Sequence, residues 1–145
     1  MNSLKIKKVF ISGPMSGYKN FNKEAFFEAE AKLKEAGFSV FNPAWLEVDN
    51  CFDTSDLLAI DLAALSRCNA IYQLPGWERS KGANAEYYAA VWGGLEIINH
   101  EWLEFYIEAN NNRRAISNLS EKEMKDYLEG KPKHEKFVPA GGFLK

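Results

Sequence analysis

The chain has 145 residues, of which 46% are hydrophobic and 26% charged, with a formal net charge of -2. That is enough for one domain that buries roughly 70% of its unfolded surface with no staple. The slight acidity argues against a general nucleic-acid-binding surface while leaving room for a small anionic ligand, and no uninterrupted apolar run approaches the ~18 residues of a transmembrane helix.

In chain order, Val9-Phe10-Ile11 predicts a short strand, followed at once by the glycine-bearing loop Ser12-Gly13-Pro14-Met15-Ser16-Gly17-Tyr18. The loop matches neither G-x-G-x-x-G nor a P-loop, so a ligand-holding loop and a plain tight turn both stay open. Residues 21–36 carry apolar side chains at roughly helical spacing, and Gly37 supplies the stop. Phe38 to Phe41 is a second strand, and Asn42-Pro43 marks the loop after it. The acidic stretch from Glu47 to Asp56 is expected to be irregular, as a solvated loop or a lid over a site.

Thr54 or Ser55 is expected to cap the next helix, whose stripe of Leu57, Leu58, Leu62 and Leu65 runs to about Arg67. Asp61 falls inside that stripe. It should be partly buried, and a buried carboxylate needs a partner, such as a nearby Arg or Lys, or a task. Ala70 to Leu74 is a third strand, and Gly76 to Gly82 is a polar loop. An alanine-rich helix follows, to about Trp92, with Gly93-Gly94 as its break. The loop lies at the carboxyl end of a strand, where open α/β sheets bind ligands. Glu86, near the start of the helix, is expected to be ionised at neutral pH with help from the helix dipole, or else to be an ordinary capping glutamate.

Leu95 to Ile98 reads as a further strand and His100 to about Asn110 as a helix packed on the core, ended by Asn110-Asn111-Asn112. Strands and helices alternate at short spacing, which predicts a doubly wound, mostly parallel α/β sheet. Residues 1–110 form that domain, and 111–145 form a C-terminal extension. Within the extension Ser120-Glu121-Lys122-Glu123 fits a capping box for a short helix, Gly130 to His134 is a charged linker, and Phe137 to Leu144 is apolar enough to dock on its own core or on a neighbouring subunit. Cys51 and Cys68 lack ligand spacing and His100 and His134 are isolated, so neither a metal nor a cofactor is expected. The N-terminus lacks the apolar core of a signal peptide, and the expected setting is cytoplasmic.

Three ordered blocks, Ser12-Gly13-Pro14-Met15, Asp61-Leu62 with Cys68-Asn69-Ala70-Ile71, and Gly82-Ala83-Asn84-Ala85-Glu86, resemble the nucleoside 2-deoxyribosyltransferase superfamily, most closely a phage-associated branch of unknown function. The likeness covers about residues 8 to 98. It implies a flavodoxin-like or Rossmann-like sheet of about five strands, and chemistry at the N-glycosidic bond with Glu86 as nucleophile. By the same resemblance Asp61 orients or protonates the departing base, Gly13, Pro14 and Met15 line the sugar, Tyr18 stacks on the ligand, and family members complete their sites across a homodimer or larger homo-oligomer.

Six positions before the nucleophile the nucleoside transferases have an aspartate, whereas this chain has Ser80. In that respect it resembles the deoxynucleoside 5'-monophosphate N-glycosidases, in which a serine holds the phosphate; a hydroxyl beside helix-start N–H groups accepts a phosphate that an aspartate would repel. Gly82 belongs to the same helix start, and Arg79 and Lys81 flank Ser80. The monophosphate branch also has a first-loop arginine, where this chain has Ser16 beside Gly17. The expected ligand is therefore a nucleoside or its 5'-monophosphate, with no polymeric nucleic acid and no membrane. The competing expectation is a nucleotide-binding or sensor module on the same fold that performs no chemistry.

Overall fold

The computed structural model describes residues 6–49, 51–118 and 120–130. They fall into two compact units, an α/β unit that ends at His100 and a helical unit that begins at Glu101.

The α/β unit holds a parallel sheet of four strands, β1 (Lys8–Ser12), β2 (Ser39–Phe41), β3 (Ala70–Gln73) and β4 (Glu96–Asn99), in the order β2-β1-β3-β4. About five strands were expected; four form the sheet among the described residues. Between them run α1 (Lys23–Glu35), α2 (Thr54–Leu65) and α3 (Lys81–Trp92). The connection through α1 moves to one side of β1 and the later ones to the other. Right-handed crossovers therefore put α1 on one face and α2 and α3 on the opposite face. The packing agrees: α1 lies on β1 and β2, α3 lies on β3 and β4, and α2 packs against α3.

Register partners on parallel strands share a face, so one apolar row, Phe41, Phe10, Ile71 and Ile97, crosses the sheet. Phe10 stacks on Phe41 at 5.6 Å between ring centroids, and Leu65 of α2 and Ala90 of α3 close over the row. Val9 and Ile11, pointing the other way, are fully buried too. Burial on both faces is why β1 and β3 appear in the sequence as unbroken apolar runs rather than alternating ones.

The helix ends follow local chemistry. After α1, Gly37 adopts φ +102° and Phe38 N–H reaches Leu33 O; after α3, Gly94 adopts φ +72° and Leu95 N–H reaches Ala90 O. Both are Schellman ends, for which a left-handed residue is needed. α1 starts two residues later than its apolar pattern, because Asn20, Phe21 and Asn22 form a left-handed turn ahead of it. The cap of α2 is Asp53, not Thr54 or Ser55. Its carboxylate accepts from the Ser55 and Asp56 N–H groups, and the Asp56 carboxylate accepts from Asp53 N–H in return. An ionised acceptor at a helix start outcompetes a hydroxyl one residue on.

In the helical unit α4 (His100–Ser117) runs through Asn110-Asn111-Asn112, and α5 (Glu121–Gly130) follows. Asparagine costs a helix only up to ~0.7 kcal/mol per residue, too little to break one that is otherwise well formed. The Ser120 hydroxyl accepts from Glu123 N–H at 3.2 Å, half of the expected capping box. No helix among the described residues is long and apolar enough to cross a membrane. The expected linker from Lys131 to His134 and the apolar segment Phe137 to Leu144 lie outside the described residues.

Candidate active site

Two residues beyond the apolar row, at the carboxyl edge of the sheet and on the same face, the register aligns three polar residues: Ser12 on β1, Gln73 on β3 and Asn99 on β4. Ser12 is fully buried, and its hydroxyl donates to Glu86 Oε1 at 2.6 Å. Glu86 comes down from α3 and is only 5% exposed. Asp61, half-buried on α2, meets it carboxyl to carboxyl. Three residues that are far apart in the chain thus converge where α2, α3 and the end of β1 meet. The partner of Asp61 is another acid, not the arginine or lysine that a structural carboxylate would have.

Electrostatics follow from that crowding. Burial pushes Glu86 up to about 8, and the Asp61 charge adds to the rise while the Ser12 hydrogen bond opposes it. Burial likewise pushes Asp61 up to about 6, opposed by its hydrogen bond from Glu86. No cation is among the causes acting on either group, so two adjacent buried charges have nothing to offset them and the pair keeps one proton at neutral pH. Glu86, the more deeply buried, is raised the further of the two. This departs from the expectation of an ionised Glu86. α3 begins at Lys81 with Ser80 as its cap, which puts Glu86 in the second turn. The free N–H groups and the dipole act over the first turn only, and desolvation prevails.

The first loop contributes shape. A Cβ on Gly13 would lie 2.7 Å from Leu74 Cβ, so that glycine lets the loop after β1 pack on the residue that follows β3. Its role is packing between loops, not conformational freedom toward a ligand. Pro14 is buried and its carbonyl accepts from Asn22 Nδ2 at 2.9 Å, while Met15 is half-buried and Ser16 and Gly17 are exposed. Tyr18, 40% exposed, lays its hydroxyl 3.5 Å from Arg79 Nη2. A side chain on Gly76 would strike that hydroxyl, so Tyr18 and Arg79 close together over the second loop.

Ser80 is the cap of α3, its Oγ accepting from Ala83 N–H at 3.2 Å. A Cβ on Gly82 would meet only Ser80 Oγ, at 4.0 Å, so the helix start is open. Six residues at 1.5 Å each separate Ser80 from Glu86, ~9 Å along the axis. Asn84 and Asn69, both within the three sequence blocks, are structural ties. Asn84 Nδ2 donates to Glu78 O at 2.9 Å and Ser80 O at 2.8 Å, which holds the 77–80 turn against α3. Asn69 Oδ1 accepts from Lys7 and Lys8 N–H at the opposite edge of the sheet.

Gln73 was not foreseen as a site residue, although a polar residue closing an apolar strand was a signal that could have found it. Among the described residues no group of three His, Cys, Asp or Glu is placed to hold a metal ion.

A family model described as a domain of unknown function (DUF4406) matches residues 7–99. No curated protein matches the sequence. Among solved structures, a 2-desoxiribosyltransferase from Leishmania mexicana is similar in fold, with a TM-score of 0.50 and 17% identity over 64% of this chain. The aligned part is 63% of that structure's length.

Proposed function

The chain belongs to the DUF4406 family, and we propose that this member cleaves or exchanges the N-glycosidic bond of a 2'-deoxyribonucleoside or its 5'-monophosphate, with Glu86 as nucleophile. The observation that carries the reading is the buried acid pair. Two carboxyls that share one proton at the carboxyl edge of a parallel sheet supply both groups the reaction needs, one anionic oxygen and one acidic proton. The fold it shares with a 2-desoxiribosyltransferase supports the substrate class.

Positive charge developing at the anomeric carbon favours an ionised Glu86, so the shared proton lies on Asp61 when the glycosidic bond breaks. A Glu86 oxygen then bonds to the anomeric carbon as the carbon–nitrogen bond breaks, the bonding pair leaves on the base nitrogen, and Asp61 gives that nitrogen its proton. Asp61, now a carboxylate, takes a proton from water or from an acceptor base, and the incoming oxygen or nitrogen displaces Glu86 from the sugar. Ser12 steadies Glu86 through its 2.6 Å hydrogen bond. At the far end Ser80, the open start of α3 and the exposed Arg79 and Lys81 receive the 5'-phosphate. Gly13, Pro14, Met15 and Tyr18 wall the sugar.

The test is base release, followed by chromatography, from deoxynucleosides and their 5'-monophosphates, with and without an acceptor base, for the wild type and Glu86→Ala. The expected result is release from monophosphates that Glu86→Ala abolishes. Exchange on unphosphorylated nucleosides would reassign the phosphate role of Ser80. Binding with no release from any substrate would leave a nucleotide-binding module and sink the reaction.

A further inference from the structure

Gln73 is 8% exposed, and its Nε2 has no hydrogen-bond partner. A buried amide without a partner costs on the order of 1–3 kcal/mol, so such groups are rare unless something arrives to meet them. Its position is informative. Gln73 is the register partner of Ser12, on the face where the Ser12 hydroxyl reaches Glu86. It stands two residues beyond Ile71, so the apolar row gives way to polar side chains at the level of the acid pair. A second atom of the cluster is also underused: the buried Asp61 Oδ1 has no hydrogen-bond partner. The cluster thus holds an amide donor and a carboxylate oxygen that the protein itself leaves unsatisfied. A purely structural glutamine at a strand end would be paired, as Asn69 and Asn84 are.

We propose that Gln73 is a ligand-reading residue whose side-chain N–H donates to an acceptor atom of the bound nucleoside or nucleotide, a base carbonyl or ring nitrogen or a sugar oxygen. The assignment rests on the function proposed above for its ligand class. It adds a contact that none of the three sequence blocks contains. Gln73 acts in binding and orientation, and Glu86 and Asp61 keep the chemistry.

The experiment compares the full-length wild type with Gln73→Met, which keeps the length of the side chain and removes the donor. Three quantities are measured: thermal stability without ligand, affinity by calorimetry for deoxynucleoside 5'-monophosphates and for 2-deoxyribose 5-phosphate, and base release. Removing an unpaired donor should leave the melting temperature unchanged or raise it. Affinity for the monophosphates should fall about tenfold, as for loss of one buried hydrogen bond. If 2-deoxyribose 5-phosphate weakens equally, the acceptor is on the sugar; if it does not, the acceptor is on the base. Equal affinity of the two proteins for every ligand, or a melting temperature lowered by several degrees, overturns the assignment. Base release decides the parent reading separately: no release, with nucleotide affinity still lowered by Gln73→Met, removes the reaction and keeps Gln73. No binding of any ligand by the wild type removes both.

Discussion

Replacing Glu86 by glutamine keeps the shape of the side chain, keeps an acceptor for Ser12 and removes the proton shared with Asp61. Its consequence for stability can be worked out with its sign. Glu86 rises from 4.5 to about 8 on folding, so between those values the folded chain binds more protons than the unfolded one. Stability from this group is therefore fully present below about pH 4.5 and drains away as pH rises through about 8. The full shift sets a ceiling on the order of a few kcal/mol, and the coupling to Asp61 makes the realised value smaller. Glu86→Gln removes that drain, because its amide stays neutral and donates to Asp61. Against the wild type the variant should gain stability steadily from pH 5 to pH 8, by roughly 2–4 °C in melting temperature for each kcal/mol, and level off above. Melting temperatures at pH 5, 6, 7, 8 and 9 for both proteins read this directly. Parallel profiles would mean that Glu86 ionises as an exposed glutamate does, and the reasoning that joins burial to a shared proton would be wrong.

Other outcomes follow from single contacts. Ser12→Ala removes the hydrogen bond that holds Glu86 down, so the Glu86 limb of a pH–rate profile should move to higher pH, with a rate loss of about tenfold or more; an unmoved limb would dissociate Ser12 from the nucleophile. Gly13→Ala puts a methyl 2.7 Å from Leu74 Cβ and should cost about 1–3 kcal/mol in chemical denaturation, whereas an unchanged midpoint would show that the two loops do not pack as described. Asn84→Ala unties the turn below Ser80, so KM for a 5'-monophosphate should rise with little change in kcat, and an equal effect on unphosphorylated nucleosides would contradict the placement of the phosphate. On α2 and α3, Ile60, Tyr88, Val91 and Trp92 are exposed, Trp92 by 90%. A second copy covering Trp92 should appear as a dimer mass in light scattering that Trp92→Glu converts to monomer, and a monomeric wild type would refute it.

The legible features were those set by local rules. Alternating apolar runs and helical stripes announced the α/β order, Gly37 and Gly93-Gly94 announced two helix ends, and the polar run after Ala70–Leu74 announced the loop between β3 and α3. Other features depended on competition between near neighbours. Asp53 wins the cap of α2 because its carboxylate is the stronger acceptor, and α4 continues through three asparagines because their propensity penalty is small. Local patterns picked out Glu86 and Asp61 one at a time, as a glutamate at a helix start and an acid inside an apolar stripe. Only the family resemblance implied that both serve one glycosidic bond, and neither signal set carboxyl against carboxyl.

What the sequence determined by itself is therefore the alternation that winds the sheet, and the residue types available at its carboxyl edge, since periodicity and turn chemistry act over a few residues. The state of the site was decided in three dimensions. Whether Glu86 is charged depends on how much water its surroundings exclude and on which groups lie within hydrogen-bonding reach. Those groups, Ser12 and Asp61, are brought to it only by strand register and helix packing. The same holds for Gln73. Nothing in Ala70-Ile71-Tyr72-Gln73 marks its amide as unpaired, because an unsatisfied donor is a property of the whole enclosure around it.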